Sequence, residues 1–539
     1  MRSILGWAAL GFACAAAILP VRADAKTLSG VVFDDRSGDG RRQAGEPGVP
    51  DVALSDGRTL VVTDAGGRYR IDAAPGSTVF AIKPAGWRLP GDDPARPGAW
   101  RHVPATARVA TRYGGIVAAS SSSTFDIGLR RAPAAAGPLS VRVFADPQPK
   151  SRVDVGYYGR DIVDSVRAEP AAAPAAGLPP AQLGASLGDI VQDDLSLYPA
   201  MNAETRRIGV PWLHVPGNHD LDFDVARDED SLLGFRNVYG PDTFAWEEPQ
   251  ATFVGLDDVI YRPGQSPSYI GGFRDDQFAF LEAYLPRVPK DRLLVVMMHI
   301  PLFETEGKDS FRDADRERLF ALLQDFPHVL VLSGHMHTQQ HWHHDASTGW
   351  HGAAPLHEYN VGAACGAFWS GVKDAAGIPD TTMGDGTPNG YASLVIEPDA
   401  RYALRWHVAR AAGDPAMALH APAVLRRGAY PAWGLYANVW MAQRDDRVEF
   451  RVDGGDWAPM RRVDAPDPDL LAENRRDDEA SALRGYDRSP EATPSPHLWR
   501  GALPTNLAVG THRIEVRTFD TWRGELRAET TYRLEEAAP

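Results

Sequence analysis

Both ends of the chain carry short runs in which apolar and polar positions alternate. Leu28-Ser29-Gly30-Val31-Val32-Phe33, Val52-Ala53-Leu54-Ser55, Leu60-Val61-Val62-Thr63 and Tyr69-Arg70-Ile71 have β character and are separated by Gly, Pro and Asp clusters. That spacing predicts a small antiparallel sandwich over residues 26–131. Leu435-Tyr436-Ala437-Asn438-Val439-Trp440, Val448–Val452, His512–Arg517 and Thr530–Leu534 alternate with period two and predict a second β-rich domain over 411–539. Residues 463–495 are charged and contain proline, which reads as a long surface loop. His497 and Trp499 follow it, within reach of a cleft.

The middle of the chain has a different rhythm. Leu139–Ala145, Leu183–Leu187, Trp212–Pro216, Leu293–Met298 and Val329–Ser333 read as strands. Helical stretches around Asp161–Arg167, 275–285 and 314–325 lie between them. Strands alternating with helices predict a layered α/β domain over 132–410. It opens with the linker Ala132–Pro138 and carries an Ala/Pro-rich surface insertion at 171–180.

Each of the five runs ends in groups that bind metals or move protons, at the sheet edge where α/β folds place ligands. The collected set is Asp146, Gln148, Asp189, Asn218, His299, His335 and His337. These are oxygen and imidazole donors without a thiolate, too many for one tetrahedral site and suited to two divalent ions. Gly217 permits the sharp turn before Asn218. His219 can pass a proton near neutral pH, and Asp220 can orient it. Taken singly, each residue reads equally as a satisfied buried polar group; the seven together do not. The bland reading holds for His214 as a core histidine, and for His341, His343 and His344 as a solvated strand or loop. Cys365 reads as a small buried hydrophobe, and Phe368, Trp369 and Tyr391 mostly as packing.

A length of 539 residues, 44% of them hydrophobic, allows several domains with real cores. A formal net charge of −15 argues against a nucleic-acid groove but not against a phosphorylated substrate, because bound metals supply local positive charge. Arg2, the apolar run from residue 4 to 19 and Ala23-Asp24-Ala25 read as a cleavable export signal over 1–25. The mature chain is then periplasmic or extracellular in a bacterium, with no later segment apolar enough to span a bilayer. It keeps only Cys365, so no intramolecular disulfide forms. One loop of the first β module, with Asp35, Ser37, Asp39, Gly40, Arg41, Gln43 and Glu46 at the ligand positions of an EF-hand-type loop, reads either as a calcium site or as a solvated acidic turn.

In their order, the five blocks resemble the calcineurin-like metallophosphoesterase superfamily over about residues 140–340. The resemblance implies a layered β-sandwich core of two sheets flanked by helices. It implies one metal held by Asp146, Gln148, Asp189 and His337, and a second by Asp189, Asn218, His299 and His335, with Asp189 shared. Cys365–Gly371 and Asp385–Tyr391 are similar to an exported bacterial subgroup with an N-terminal β module and its own C-terminal domain. The departure is Asp146-Pro147-Gln148, where the family pattern is Asp-x-His. An amide oxygen there favours harder ions such as manganese or magnesium, with zinc or iron the other options. The same exchange is found in a branch of the superfamily resembling manganese-dependent ADP-ribose and CDP-alcohol diphosphatases, and that resemblance leans toward a phosphodiester or diphosphate substrate. The implied function is an exported phosphoesterase acting on a phosphorylated small molecule or envelope component. Attack comes from a metal-bridging hydroxide, with His219 as general acid. The alternative from another class is an inert surface or ligand-binding protein that works through its β modules. Oligomeric state is left open. On the calcium reading, the isolated 26–131 module should melt at a higher temperature in calcium than in chelator; unchanged melting leaves the acidic turn.

Overall fold

The computed structural model describes residues 25–89, 93–132, 137–169, 178–303, 311–485 and 487–537. The export signal, most of the 132–138 linker and most of the 171–180 insertion lie outside the described residues.

The central part is built on two sheets. One has five strands, in the order Trp212–Val215, Leu183–Leu187, Leu139–Phe144, Gly390–Ile396, Tyr402–Val408. The first three are parallel, and the last two are antiparallel additions. The other has six, in the order Phe244–Glu247, Ala251–Gly255, Leu293–Met297, Val329–Ser333, Leu356–Asn360, Gln340–His344. Val141, Leu187, Val215 and Leu394 of the first sheet and Val295, Val331 and Tyr359 of the second join a single apolar core. Helices Asp275–Tyr284 and Asp313–Leu323 fall where the spacing predicts them. Ser151 caps the helix Arg152–Tyr158, which runs on as a π-helical turn over Gly159–Val163.

The alternation in Leu139–Phe144 suggests one wet face, yet every residue of that strand is buried. Its polar members are satisfied instead: the Arg142 guanidinium, fully buried, donates to Glu169 at 2.6 and 2.8 Å and to Ser140 Oγ at 2.8 Å. Strands covered on both faces tolerate such a residue only when it is paired.

Two four-stranded sheets make the N-terminal module, around Leu28, Val32, Leu54, Ile71 and Leu129. Its acidic loop is gathered into one turn. Asp35 accepts from the amides of Gly38 at 2.7 Å and Gly40 at 2.9 Å, Asp39 from Arg41 N at 2.9 Å, and Glu46 from Ser37 N and Gln43 N at 3.0 and 2.9 Å. Ser37 Oγ donates to Asp35 and Asp39.

The C-terminal module has sheets of four and five strands around Leu435, Phe450, Ile514 and Tyr532. The expected surface loop at 463–495 contains a helix, Pro468–Glu479. Asp467 caps it, accepting from Asp469 N and Leu470 N, and Pro468 begins it. Only Leu470 of that helix is buried, so it carries almost no periodic signal. His344 is also not solvated: it is buried and meets Glu358 at 2.7 Å, while His343 beside it is exposed. Nor are His497 and Trp499 cleft residues. Trp499 packs in the module's core, and His497 is buried against Asp385 at 3.0 Å. Among the described residues, no helix is long and apolar enough to cross a membrane.

Asp385 fastens the two parts together. Besides His497 it accepts from Gln339 N at 3.0 Å and Thr387 N at 2.8 Å. Burial works to raise its carboxyl, but the His497 charge and these amides outweigh burial and hold it below the usual range. A depressed carboxylate stabilises above its unfolded value of about 4, and loses that contribution as pH falls through the lower folded value. Asp385→Asn should therefore cost about 1–3 kcal/mol at pH 7. The gap in melting temperature to the wild type should close as pH is taken below about 4; a gap independent of pH would contradict this role.

Candidate metal centre

All five predicted strand ends meet at one edge. Asp146, Gly188-Asp189 and Gly217-Asn218 follow adjacent parallel strands of the first sheet, and His299 and Gly334-His335 follow adjacent parallel strands of the second. Asp146, Gln148, Asp189, His335 and His337 all have positive φ, between 42° and 70°. Left-handed backbone is rare for residues with a Cβ and concentrates where function over-determines geometry. Three glycines let the cluster close. A Cβ on Gly188 would lie 2.5 Å from the His299 ring, one on Gly217 2.3 Å from Asp189 Oδ1, and one on Gly334 2.8 Å from Asp146 Oδ2.

His299 Nδ1 donates to the Leu187 carbonyl at 2.8 Å, so the neutral ring keeps its lone pair on Nε2. That nitrogen faces Asn218 Oδ1 at 3.0 Å, His335 Nδ1 at 3.2 Å and Asp189 Oδ1 at 3.4 Å. The ligand atoms of Asp189, His299 and His335 lie within 4.8 Å of one another. His337 repeats the pattern: Nδ1 donates to Gly366 O at 2.8 Å and Nε2 faces Asp146 Oδ1 at 3.6 Å. Gln148 presents its amide nitrogen to Asp189 Oδ2 at 3.1 Å and its oxygen to the buried Cys365 thiol at 3.7 Å. Turning the amide over exchanges the two atoms.

Acceptors that face acceptors in a buried pocket need a positive charge between them. Burial disfavours charge on His299, but Asp189, Asp146 and Asp258 around it hold its pKa up at about 10. His335 goes the other way: burial and the neighbouring His299 push it down to about 4. Carboxylate, amide and imidazole donors whose lone pairs converge fit a hard or borderline divalent cation.

His219 sits at the edge of this cluster, its side chain about a quarter exposed. Its amide donates to Asp189 Oδ1 at 2.8 Å. The carboxylate on its ring is Asp193, at 2.7 Å from Nδ1, and not Asp220. Asp220 turns inward, accepting from Tyr198 Oη at 2.9 Å, Gly217 N at 2.9 Å and Ile190 N at 3.1 Å, and supports the turn. Sequence adjacency to His219 suggests the wrong partner because a one-turn 3₁₀ segment, Asn218–Asp220, sends neighbouring side chains in different directions. Burial opposes charge on His219, yet the Asp193 hydrogen bond and the Asp189 charge more than offset it, and its pKa is raised.

Three further residues of the site carry no strong sequence signal. Asp193 has φ 61° and only its closeness to Asp189 marks it. Tyr113 reaches in from the N-terminal module, its hydroxyl donating to Asp193 O at 2.9 Å. Phe368, φ 61°, lies 4.8 Å from the His337 ring and is 41% exposed, with Lys150 Nζ 5.1 Å over it. Trp369 and Tyr391 are buried packing, through Pro147 O at 2.8 Å and Glu169 at 2.9 Å respectively.

Oxygen and imidazole donors gathered at the strand ends of a two-sheet α/β core make a candidate metal centre. The comparisons narrow the class. Residues 182–339 match the family model of calcineurin-like phosphoesterase, 36–113 match its N-terminal companion and 358–525 its C-terminal companion. The chain belongs to the calcineurin-like phosphoesterase family. A probable glycerophosphodiester phosphodiesterase, GpdQ, of Arcobacter nitrofigilis is 28% identical over 154 residues, which is 28% of this chain and 54% of that protein. The chain thus spans about half the length of this curated relative, 54%. The purple acid phosphatase PPD1 of yellow lupin, Lupinus luteus, aligns over 67% of each chain at 11% identity with a TM-score of 0.35.

Gly217 has φ −118° and ψ −178°, extended backbone open to any residue, so alanine there adds a Cβ 2.3 Å from Asp189 N and Oδ1 and 2.9 Å from His299 Cε1. Gly217→Ala should weaken manganese binding about 10–100-fold in titration calorimetry, with an unchanged circular dichroism spectrum. Unchanged affinity would mean that neither Asp189 nor His299 holds the ion.

Proposed function

We propose that this protein is an exported, metal-dependent phosphoester hydrolase whose substrate is a phosphodiester or organic diphosphate, from a small molecule or the cell envelope. The observation that carries the reading is the buried convergence of the His299, His335, Asn218 and Asp189 lone pairs, with His219 at its edge. Asp146, Gln148, Asp189 and His337 would hold one divalent ion, and Asp189, Asn218, His299 and His335 the other. Manganese is favoured because an amide oxygen stands where an imidazole is usual. When bound, the ions supply a nucleophile at neutral pH and neutralise charge on the phosphoryl oxygens.

The chain's own groups do the rest. The His299 and His337 rings are each fixed by a carbonyl on Nδ1, which aims Nε2 inward. Asp193 accepts a hydrogen bond from Nδ1–H of His219, which leaves Nε2–H to protonate the departing oxygen. The raised pKa of His219 keeps that proton available near neutrality. Export rests on the N-terminal signal pattern, and the acidic loop at Asp35–Glu46 is assigned to calcium on its ligand spacing.

The test is hydrolysis of an aryl phosphate monoester and an aryl phosphate diester, metal-free and with added manganese. Turnover should require metal, favour the diester and vanish in Asp189→Asn. His219→Ala should keep its metals and lose about 10²–10⁴-fold on esters with poor leaving groups. Metal-independent turnover, or full activity in Asp189→Asn, would refute the reading.

A further inference from the structure

Residues 103–123 form neither helix nor strand. Structureless loops longer than about 15 residues are uncommon in compact domains unless they have work to do. This one leaves the N-terminal module after the strand Trp100–His102 and returns at Ile127–Arg131. In between it lies along the central domain, fastened at three points. Arg112 N donates to Asp224 Oδ2 at 2.7 Å, Tyr113 Oη to Asp193 O at 2.9 Å, and Val117 N to Asn237 Oδ1 at 3.0 Å. Gly114 and Gly115, both with positive φ, turn the chain back immediately after Tyr113.

The middle fastening touches the residue that holds the His219 ring. Asp193 is in left-handed backbone with φ 61°, its amide donates to His219 O at 3.1 Å, and its Oδ1 meets His219 Nδ1 at 2.7 Å. Its carbonyl is the remaining backbone polar group, and the Tyr113 hydroxyl takes it. We infer that Tyr113 is a positioning residue for the Asp193–His219 pair, and that the N-terminal module is thereby a working part of the active centre rather than an appended domain. This rests on His219 being the general acid. Without the Tyr113 hydroxyl, the Asp193–Asp194 peptide keeps only the bond from Asp194 N to Gln192 O at 2.8 Å, and the carboxylate loses its set direction toward Nδ1.

The experiment uses the full chain with Tyr113→Phe, His219→Ala and, as a control, Tyr261→Phe, whose hydroxyl donates to Phe223 O at 2.7 Å and is not bonded to Asp193 or His219. Two diesters are compared, bis(4-nitrophenyl) phosphate and a dialkyl phosphodiester whose alkoxide must be protonated to leave. Tyr113→Phe should lower kcat on the dialkyl ester about fivefold, the size of one neutral hydrogen bond. KM, metal content and kcat on the nitrophenyl ester should stay unchanged, as both esters should in Tyr261→Phe. Equal loss on both esters, or no loss, while His219→Ala is selective, overturns the inference. If His219→Ala is not selective, the general-acid reading fails, and a second readout decides the positioning by itself. In metal-free protein labelled with ¹⁵N-histidine, the His219 ring signals, identified by their loss in His219→Ala, should move in Tyr113→Phe and not in Tyr261→Phe. Unmoved signals overturn the inference.

Discussion

Bringing seven candidate donors from five strand ends to one edge is the constraint that shapes this molecule. Five of those donors reach it only through left-handed backbone. At about 1–2 kcal/mol each, that strain approaches the whole net stability of an ordinary domain, about 5–15 kcal/mol. The glycines at 188, 217 and 334 remove the steric obstacle, and the buried parallel strands behind them supply the rigidity that holds the strain. Converging lone pairs add an electrostatic cost that only positive charge relieves. Cation binding and folding are therefore one linked equilibrium here, because an ion bound to the folded state alone stabilises it.

Around that centre the polar groups sort by direction. Groups facing away from it are satisfied by backbone: His299 and His337 by carbonyls, Asp258 by the amides of His299 and Ile300. Groups facing it meet one another, as His299 Nε2 meets Asn218 Oδ1 and His335 Nδ1. His219 stands between the two sets, tied to Asp189 through its amide and to Asp193 through its ring. This division, more than any single residue, distinguishes a site from a buried polar network.

The sequence made the centre legible because each donor follows a buried apolar run, and both the run and the turn leave a local signature. Gly188-Asp189 and Gly217-Asn218 are such cases. What was not legible was side-chain direction and anything contributed from far away. Asp220 sits beside His219 in sequence but serves Tyr198, whereas Asp193 and Tyr113 arrive through the fold. The helix Pro468–Glu479 escaped for another reason: a helix that buries only Leu470 has no apolar stripe to read. Arg142 escaped because alternation reports polarity, and a paired arginine can be polar and buried at once.

The strand Gly390–Ile396 pairs along Leu139–Phe144, Ala392 opposite Val143 and Ile396 opposite Leu139. The strand that delivers Asp146 therefore keeps a bare edge until the chain has been made past Ile396. On a ribosome, the first sheet cannot close around its own nucleus, and loop closure over such a span is slow. Late completion of this kind carries a risk of edge-to-edge association if synthesis stalls before that strand arrives.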